Sequence, residues 1–188
     1  MGDLSPAELT MGPAAGATPR TMGLDLSLTA TGIARTDGYT ERVTCGDLRG
    51  TDRLAWICSA VMGHVTQGVD LVVIEGPSYG SMSGAGHHEA AGLWWLVAYQ
   101  LDGRDVPYAV VPPSSLKKYA TGRGNATKAD MRMALFQRAG IDLRDDNQVD
   151  AWWLRAAGME ALGHRIVEMP RTHRDALAKV AWPEAVAR

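Results

Sequence analysis

The stretch Thr21-Met22-Gly23-Leu24-Asp25-Leu26-Ser27-Leu28-Thr29-Ala30-Thr31-Gly32-Ile33-Ala34 decides the fold. Its first half is a short apolar run with one carboxylate, Asp25, and reads as a strand that delivers this acid into a tight turn. A charge inside a buried strand needs a metal, a cation or a dense set of donors. Ser27, Thr29, Ala30, Thr31 and Gly32 are small or hydroxylated, and allow close backbone approach and an antiparallel return. An ordinary hairpin with Asp25 as a turn residue at the sheet end fits this segment equally well, so the rest of the chain has to separate the two.

Working outward, Arg20–Asp25, Thr29–Thr36 and Tyr39–Cys45 read as three antiparallel strands, with Asp37-Gly38 as a hairpin turn. A helix is predicted over Arg53–Gln67, from Leu54, Ile57, Ala60, Val61 and Val65 at helical spacing, with Thr51 or Asp52 as N-cap and Gly68 as its stop. Val69–Glu75 is a continuous apolar strand ending on an acid, the pattern of a strand buried on both faces. A Gly/Ser-rich loop, Ser78–His88, follows and holds Tyr79 and Met82. Next come an apolar helix Glu89–Leu101, a strand Pro107–Val111, a single helical turn Ser114–Thr121, a helix Lys128–Ala139 capped by Thr127, and a last long helix Asn147–Leu162. The order β-β-β-α-β-α-β-α-α predicts an α/β domain with a central mixed five-stranded sheet, three antiparallel strands and then parallel ones, flanked by helices. Residues 1–20, rich in Gly, Pro, Ala and Thr, read as a disordered extension. Residues 21–162 form the domain, and 163–188 a polar tail with a short helix at Arg174–Trp182.

The composition is that of an ordinary globular protein: 188 residues, 46% hydrophobic and 21% charged. No apolar run is long enough to span a membrane, and no signal peptide is evident. Cys45 and Cys58 make neither a disulfide framework nor a zinc site, so a reducing cytoplasm is expected. His87 and His88 read as helix-cap or surface residues. The formal net charge of −2 gives no global sign of nucleic-acid binding, which must rest on local patches.

Three acids stand out by context: Asp25 inside the first strand, Glu75 ending the central strand, and Asp150 on the last helix. Positions three and four apart on a helix share a face, so Asp146 or Asn147 can point where Asp150 points. Gathering like charges is costly unless a cation neutralises them. Mg²⁺ and Mn²⁺ take carboxylate oxygens and substrate phosphates as ligands, and two such ions can clamp the attacking and leaving oxygens of a phosphodiester displacement. The three acids therefore predict a two-metal nuclease site.

From Thr21 to Leu162 the chain resembles the RuvC-like Holliday junction resolvases of the RNase H-like fold, and looks most like their bacteriophage members. The resemblance rests on the strand-turn GLDLSLTATG around Asp25, on VVIEGPSYG around Glu75, on Lys117 and Lys128 astride a Gly-containing link, and on NQVDAWWLRAAG around Asp150. It implies an endonuclease that cuts Holliday junctions and other branched DNA, flaps and Y-forks included, with Mg²⁺ or Mn²⁺ as two ions per site. Asp25, Glu75, Asp150 and a fourth group would be the ligands, and Lys117 and Lys128 would lie near the scissile phosphate. Cellular members carry an acid three residues before the final Asp. Asn147 stands there in this chain, so the fourth ligand is either Asp146, favoured for its charge, or Asn147.

Lys117, Lys118, Arg123, Lys128, Arg132 and Arg138 form a local basic patch opposed by Asp130, and Arg165, Arg171, His173, Arg174 and Lys179 form another. For Arg132 and Arg138 a solvated helix face is an equal reading. The resemblance implies an aromatic residue at the junction centre from the loop after Glu75, with Tyr79 as first candidate and Met82 as second, while a Tyr79 packed on the sheet edge is an equal reading. It also implies a two-fold dimer through the Trp94/Trp95/Tyr99 helix, whose apolar surface otherwise reads as that of a fully buried core helix. Two other readings remain: a catalytically silent RNase H-like protein that binds DNA structures, and an actin- or sugar-kinase-like ATP-binding enzyme, whose phosphate turn Asp25…Gly32 also fits.

Overall fold

A computed structural model describes residues 17–77 and 85–184 of the chain. Five strands form one sheet: β1 (Thr21–Asp25), β2 (Thr31–Ala34), β3 (Thr40–Val43), β4 (Leu71–Glu75) and β5 (Tyr108–Val111), in the order β3-β2-β1-β4-β5. β1–β2 and β2–β3 are antiparallel, while β4 runs parallel to both β1 and β5. This is the mixed sheet that the sequence predicts.

Side chains alternate between the two faces of a strand, and the alternation sorts the helices into layers. Met22, Leu24, Val72 and Ile74 pack with Ile57 and Val61 of α1 (Gly50–Val65) and with Leu93, Val97 and Leu101 of α2 (Ala85–Asp102). Leu71, Val73, Ala109 and Val111 face the other way. They pack with Leu116 and Tyr119 of α3 (Pro113–Thr121), Met131 and Leu135 of α4 (Lys128–Ala139) and Trp153 and Leu154 of α5 (Asp146–Ala161). Asp25 shares its parity with Thr21 and Gly23, and Glu75 shares its parity with Leu71 and Val73. Both acids therefore belong to the α5 face.

α5 sits unusually close to the sheet because two glycines let it. A Cβ built on Gly23 would stand 2.1 Å from the carbonyl oxygen of Ala151, and one on Gly32 2.0 Å from that of Asn147. No side chain larger than hydrogen fits between β1, β2 and the helix backbone. The buried Arg155 pins the same helix to the β2–β3 turn, its Nη2 donating to the Thr36 carbonyl at 3.1 Å.

Several boundaries differ from the expected ones. α1 begins at Gly50, with Arg49 as an N-cap that makes no side-chain bond, so neither Thr51 nor Asp52 caps it. The single turn expected at Ser114 is a nine-residue helix that starts on Pro113, whose fixed φ suits the first helical position. The Thr127 cap is found as expected: its hydroxyl accepts from Asp130 N while the Asp130 carboxylate accepts from Thr127 N. Beyond α5, where the sequence reads as polar, Val167, Met169, Leu177 and Val180 are buried against the α3–α5 layer. A four-residue α6 (Arg171–Arg174) and a 3₁₀ turn (Asp175–Leu177) lie in that segment. Arg165 and Arg174 both pair with Glu160, and His173 Nδ1 meets the Tyr119 carbonyl oxygen at 2.9 Å. Much of the second basic patch is thus taken up in docking its own segment.

Candidate functional site

The parallel register of β1 and β4 sets Leu24 beside Ile74, so the residues that follow, Asp25 and Glu75, leave the sheet side by side and on the same face. In β2 the partner of Asp25 is Gly32, and Gly32 is where the backbone of Asn147 touches down. The first turns of α5 are thereby laid over the end of β1, and they carry Asp150 to the two strand acids. The turn that follows Asp25 is held by Thr31, whose hydroxyl accepts from Ser27 N at 3.1 Å and donates to Ser27 O at 2.8 Å.

The electrostatics record how close the three acids are. Burial, and then the charges of Glu75 and Asp150, hold the Asp25 carboxyl well above its usual range. Glu75 is pushed up to about 7 by burial and then by Asp150, against the opposing pull of Lys117, a hydrogen bond from Asp25 and Lys128. Asp150 is pushed up to about 6, chiefly by burial with a contribution from Asp146, while Lys128 and Lys117 act against it. None of the three forms an ion pair among the described residues, so the lysines only partly offset the gathered charge. Raised carboxyl groups of this kind, clustered at one sheet end, make a candidate functional centre.

Asp146 is placed differently. Its two oxygens pair with Lys128 Nζ at 3.2 Å and Arg132 Nε at 3.4 Å, on the rim of the acid cluster. The backbone carbonyl of Asn147 lies against Gly32. Asp145, which sequence reasoning passed over, caps α5 by accepting from Gln148 N at 3.1 Å and pairs with Arg42. Its charge reaches Asp25 too. The signal available for it was its place one residue before the helix. Arg132 lies one helical turn beyond Lys128, a spacing visible in the sequence.

Lys117 and Lys128, from α3 and α4, both act on Glu75 and Asp150 and so lie within electrostatic reach of the acids. Lys118 is exposed on α3, and Arg123 is engaged with Asp130. Tyr79 and Met82 lie outside the described residues. The donor set of oxygen ligands with excess negative charge suits a hard divalent cation. As the side chains stand, no three His, Cys, Asp or Glu among the described residues converge on one ion.

No protein-family model matches the chain, and no curated protein matches it by sequence. Solved structures do match. A structure of RuvC from Thermus thermophilus superposes with a TM-score of 0.61 at 16% identity, over 80% of this chain and 99% of that one. A structure of T. thermophilus RuvC in complex with Holliday junction substrate gives a TM-score of 0.64 at 16% identity, over 80% and 98%. At that identity the likeness establishes the fold: the chain has a RuvC-like, RNase H-like architecture.

Proposed function

We propose that this chain is a divalent-metal-dependent, structure-selective endonuclease that cleaves Holliday junctions and other branched DNA. The observation that carries the reading is the meeting of Asp25, Glu75 and Asp150 at one end of the sheet, raised together by burial and by one another, with two lysines acting on them. The fold is shared with a protein solved in complex with Holliday junction substrate, which supports the choice of substrate.

Asp25, Glu75 and Asp150, with Asp146 as the fourth, would hold two Mg²⁺ or Mn²⁺ ions. Bound there, the ions supply positive charge to the attacking and leaving oxygens of phosphodiester hydrolysis. The chain's own part is to hold the acids in fixed relation on β1, β4 and α5, and to meet the developing phosphate charge with Lys117 and Lys128. Lys118 and Arg123 would add contacts to phosphates farther along the strand. Tyr79, with Met82 behind it, would enter the junction centre from the loop after Glu75. A two-fold dimer through α2, whose Trp95 and Tyr99 are 66% and 71% exposed, would set two such sites against two strands.

A second reading has one observation in its favour. Asp146 is tied to Lys128 and Arg132 rather than turned to the other acids, as suits a silent protein that only binds DNA branches. A labelled four-way junction and a matching duplex, incubated with Mg²⁺, Mn²⁺ or EDTA, separate the two readings. Metal-dependent symmetric nicks on the junction alone, lost in Asp25→Asn, are expected. Junction binding without cutting in either metal would establish the silent protein instead.

A further inference from the structure

A groove of about 410 Å³ lies between the outer face of α4 and the segment leading to α5. Its apolar lining is Met133, Phe136 and Leu143, and its walls carry Arg132, Arg144 and Asp142. Met133 and Phe136 are 55% and 56% exposed, and Phe136 is the chain's one phenylalanine, left out of the core. The two walls are joined where Arg132 Nη1 donates to the Arg144 carbonyl at 3.3 Å.

The groove is linked to the rim of the acid cluster through Arg132, which lines it and pairs with Asp146. Lys128, Arg132 and Phe136 recur every four residues and so share one stripe of α4. The first two of them hold Asp146. From Lys128 to Phe136 the stripe runs about 12 Å at 1.5 Å per residue, the rise of three to four stacked nucleotides at roughly 3.4 Å each. Charge favours a nucleic-acid occupant. The acids near the groove are mostly engaged, Asp130 by Thr127 and Arg123 and Asp146 by Lys128 and Arg132. Arg138 and Arg144 form no ion pair among the described residues, which leaves guanidinium groups free for phosphates.

We infer that this groove is a nucleotide subsite: an unpaired base of the bound strand stacks on Phe136 and Met133 while Arg144 holds a flanking phosphate. It rests on the nuclease reading and adds to it a place where the strand is gripped away from the cut. Exposed aromatic side chains serve single strands in this way because every base offers a π face. Asp142 on the rim is an acceptor for base amino or imino groups.

Binding of a short labelled oligothymidylate, with calcium in place of magnesium, tests it. Phe136→Ala should weaken binding about 5- to 100-fold, the range of one lost base stack, and Phe136→Trp should restore it. Arg144→Ala should lower the slope of log affinity against log salt by about one. Both side chains are exposed, so the variants keep the fold. Oligonucleotide binding indifferent to Phe136 and to Arg144, alongside normal junction cleavage, would overturn the subsite alone and leave the groove to some other partner, such as an acidic peptide. Absence of junction cleavage by the wild-type chain, with the Phe136 effect intact, would instead overturn the nuclease reading.

Discussion

Replacing Glu75 by Gln should make the metal-free protein more stable, not less. The Glu75 carboxyl has an ordinary value of 4.5 and is pushed up to about 7, first by burial and then by the charge of Asp150. Between those two values the folded chain binds a proton that the unfolded chain has released, so folding stability falls as the pH rises through this window. At 1.36 kcal/mol per pH unit, the charged group costs at most about 3 kcal/mol above pH 7. Glutamine keeps the shape and the capacity to accept from Asp25, and carries no charge. For a chain of this size, 3 kcal/mol corresponds to roughly 6–12 °C in Tm. Thermal melts in a chelator should show Glu75→Gln above wild type by about that amount at pH 8, with the two curves converging only below the ordinary value of 4.5. Added Mg²⁺ or Mn²⁺ should raise the wild type much more than the variant, and so narrow the gap. A variant less stable than wild type at pH 8, or a gap that ignores pH, would refute the claim that gathered charge strains this site.

Gly32→Ala should lose at least about 3 kcal/mol, because its Cβ would meet the Asn147 carbonyl oxygen at 2.0 Å and neither backbone can yield alone; chemical denaturation reads the loss. Thr127→Ala removes one half of the capping box on α4 and should cost about 1 kcal/mol in the same assay. Trp95→Glu with Tyr99→Glu should leave the melting temperature nearly unchanged but give a monomer in sedimentation, and a dimer that survives both changes would move the interface elsewhere. Asp146→Asn should reduce cleavage far more than Asn147→Ala, measured as single-turnover rates on a four-way junction; the reverse order would make Asn147 the fourth oxygen ligand.

The sheet was legible because the information for it is local. Asp25 at the end of one apolar strand and Glu75 at the end of another need only a parallel register to stand together, and the five strands follow the expected chain order, antiparallel first and then parallel. The capping box at Thr127 was equally readable, since it is a property of four consecutive residues. What was not legible depends on contacts between distant segments. That Gly23 and Gly32 are the seats of Ala151 and Asn147 cannot be inferred from glycines in a strand-turn, where a hairpin explains them as well. The segment after α5 reads as polar because its apolar residues are widely spaced. Burial of Val167, Met169, Leu177 and Val180 emerges only when they fold back on α3. The pairing of Lys128 and Arg132 with Asp146 is of the same kind, a contact between two helices whose separate patterns say nothing of each other.

That pairing also decides how the basic rim can work. Lys128 Nζ stands 3.2 Å from Asp146, but its side chain is 69% exposed. An ion pair so open to water is worth about 0–1 kcal/mol. A desolvated phosphate offers a lysine more than that, since hydrogen bonds to charged groups contribute about 1.5–3 kcal/mol. Lys128 can therefore leave Asp146 for a phosphate at little cost. The two cations divide the work by geometry. Lys128, at the start of α4 and acting on all three inner acids, is the one free to follow a substrate. Arg132 donates to the Arg144 carbonyl at 3.3 Å and belongs to the wall of the groove. A lysine held loosely beside a carboxylate that it can give up is a better reporter of an arriving phosphate than one locked in a buried pair, where separation would expose two uncompensated charges.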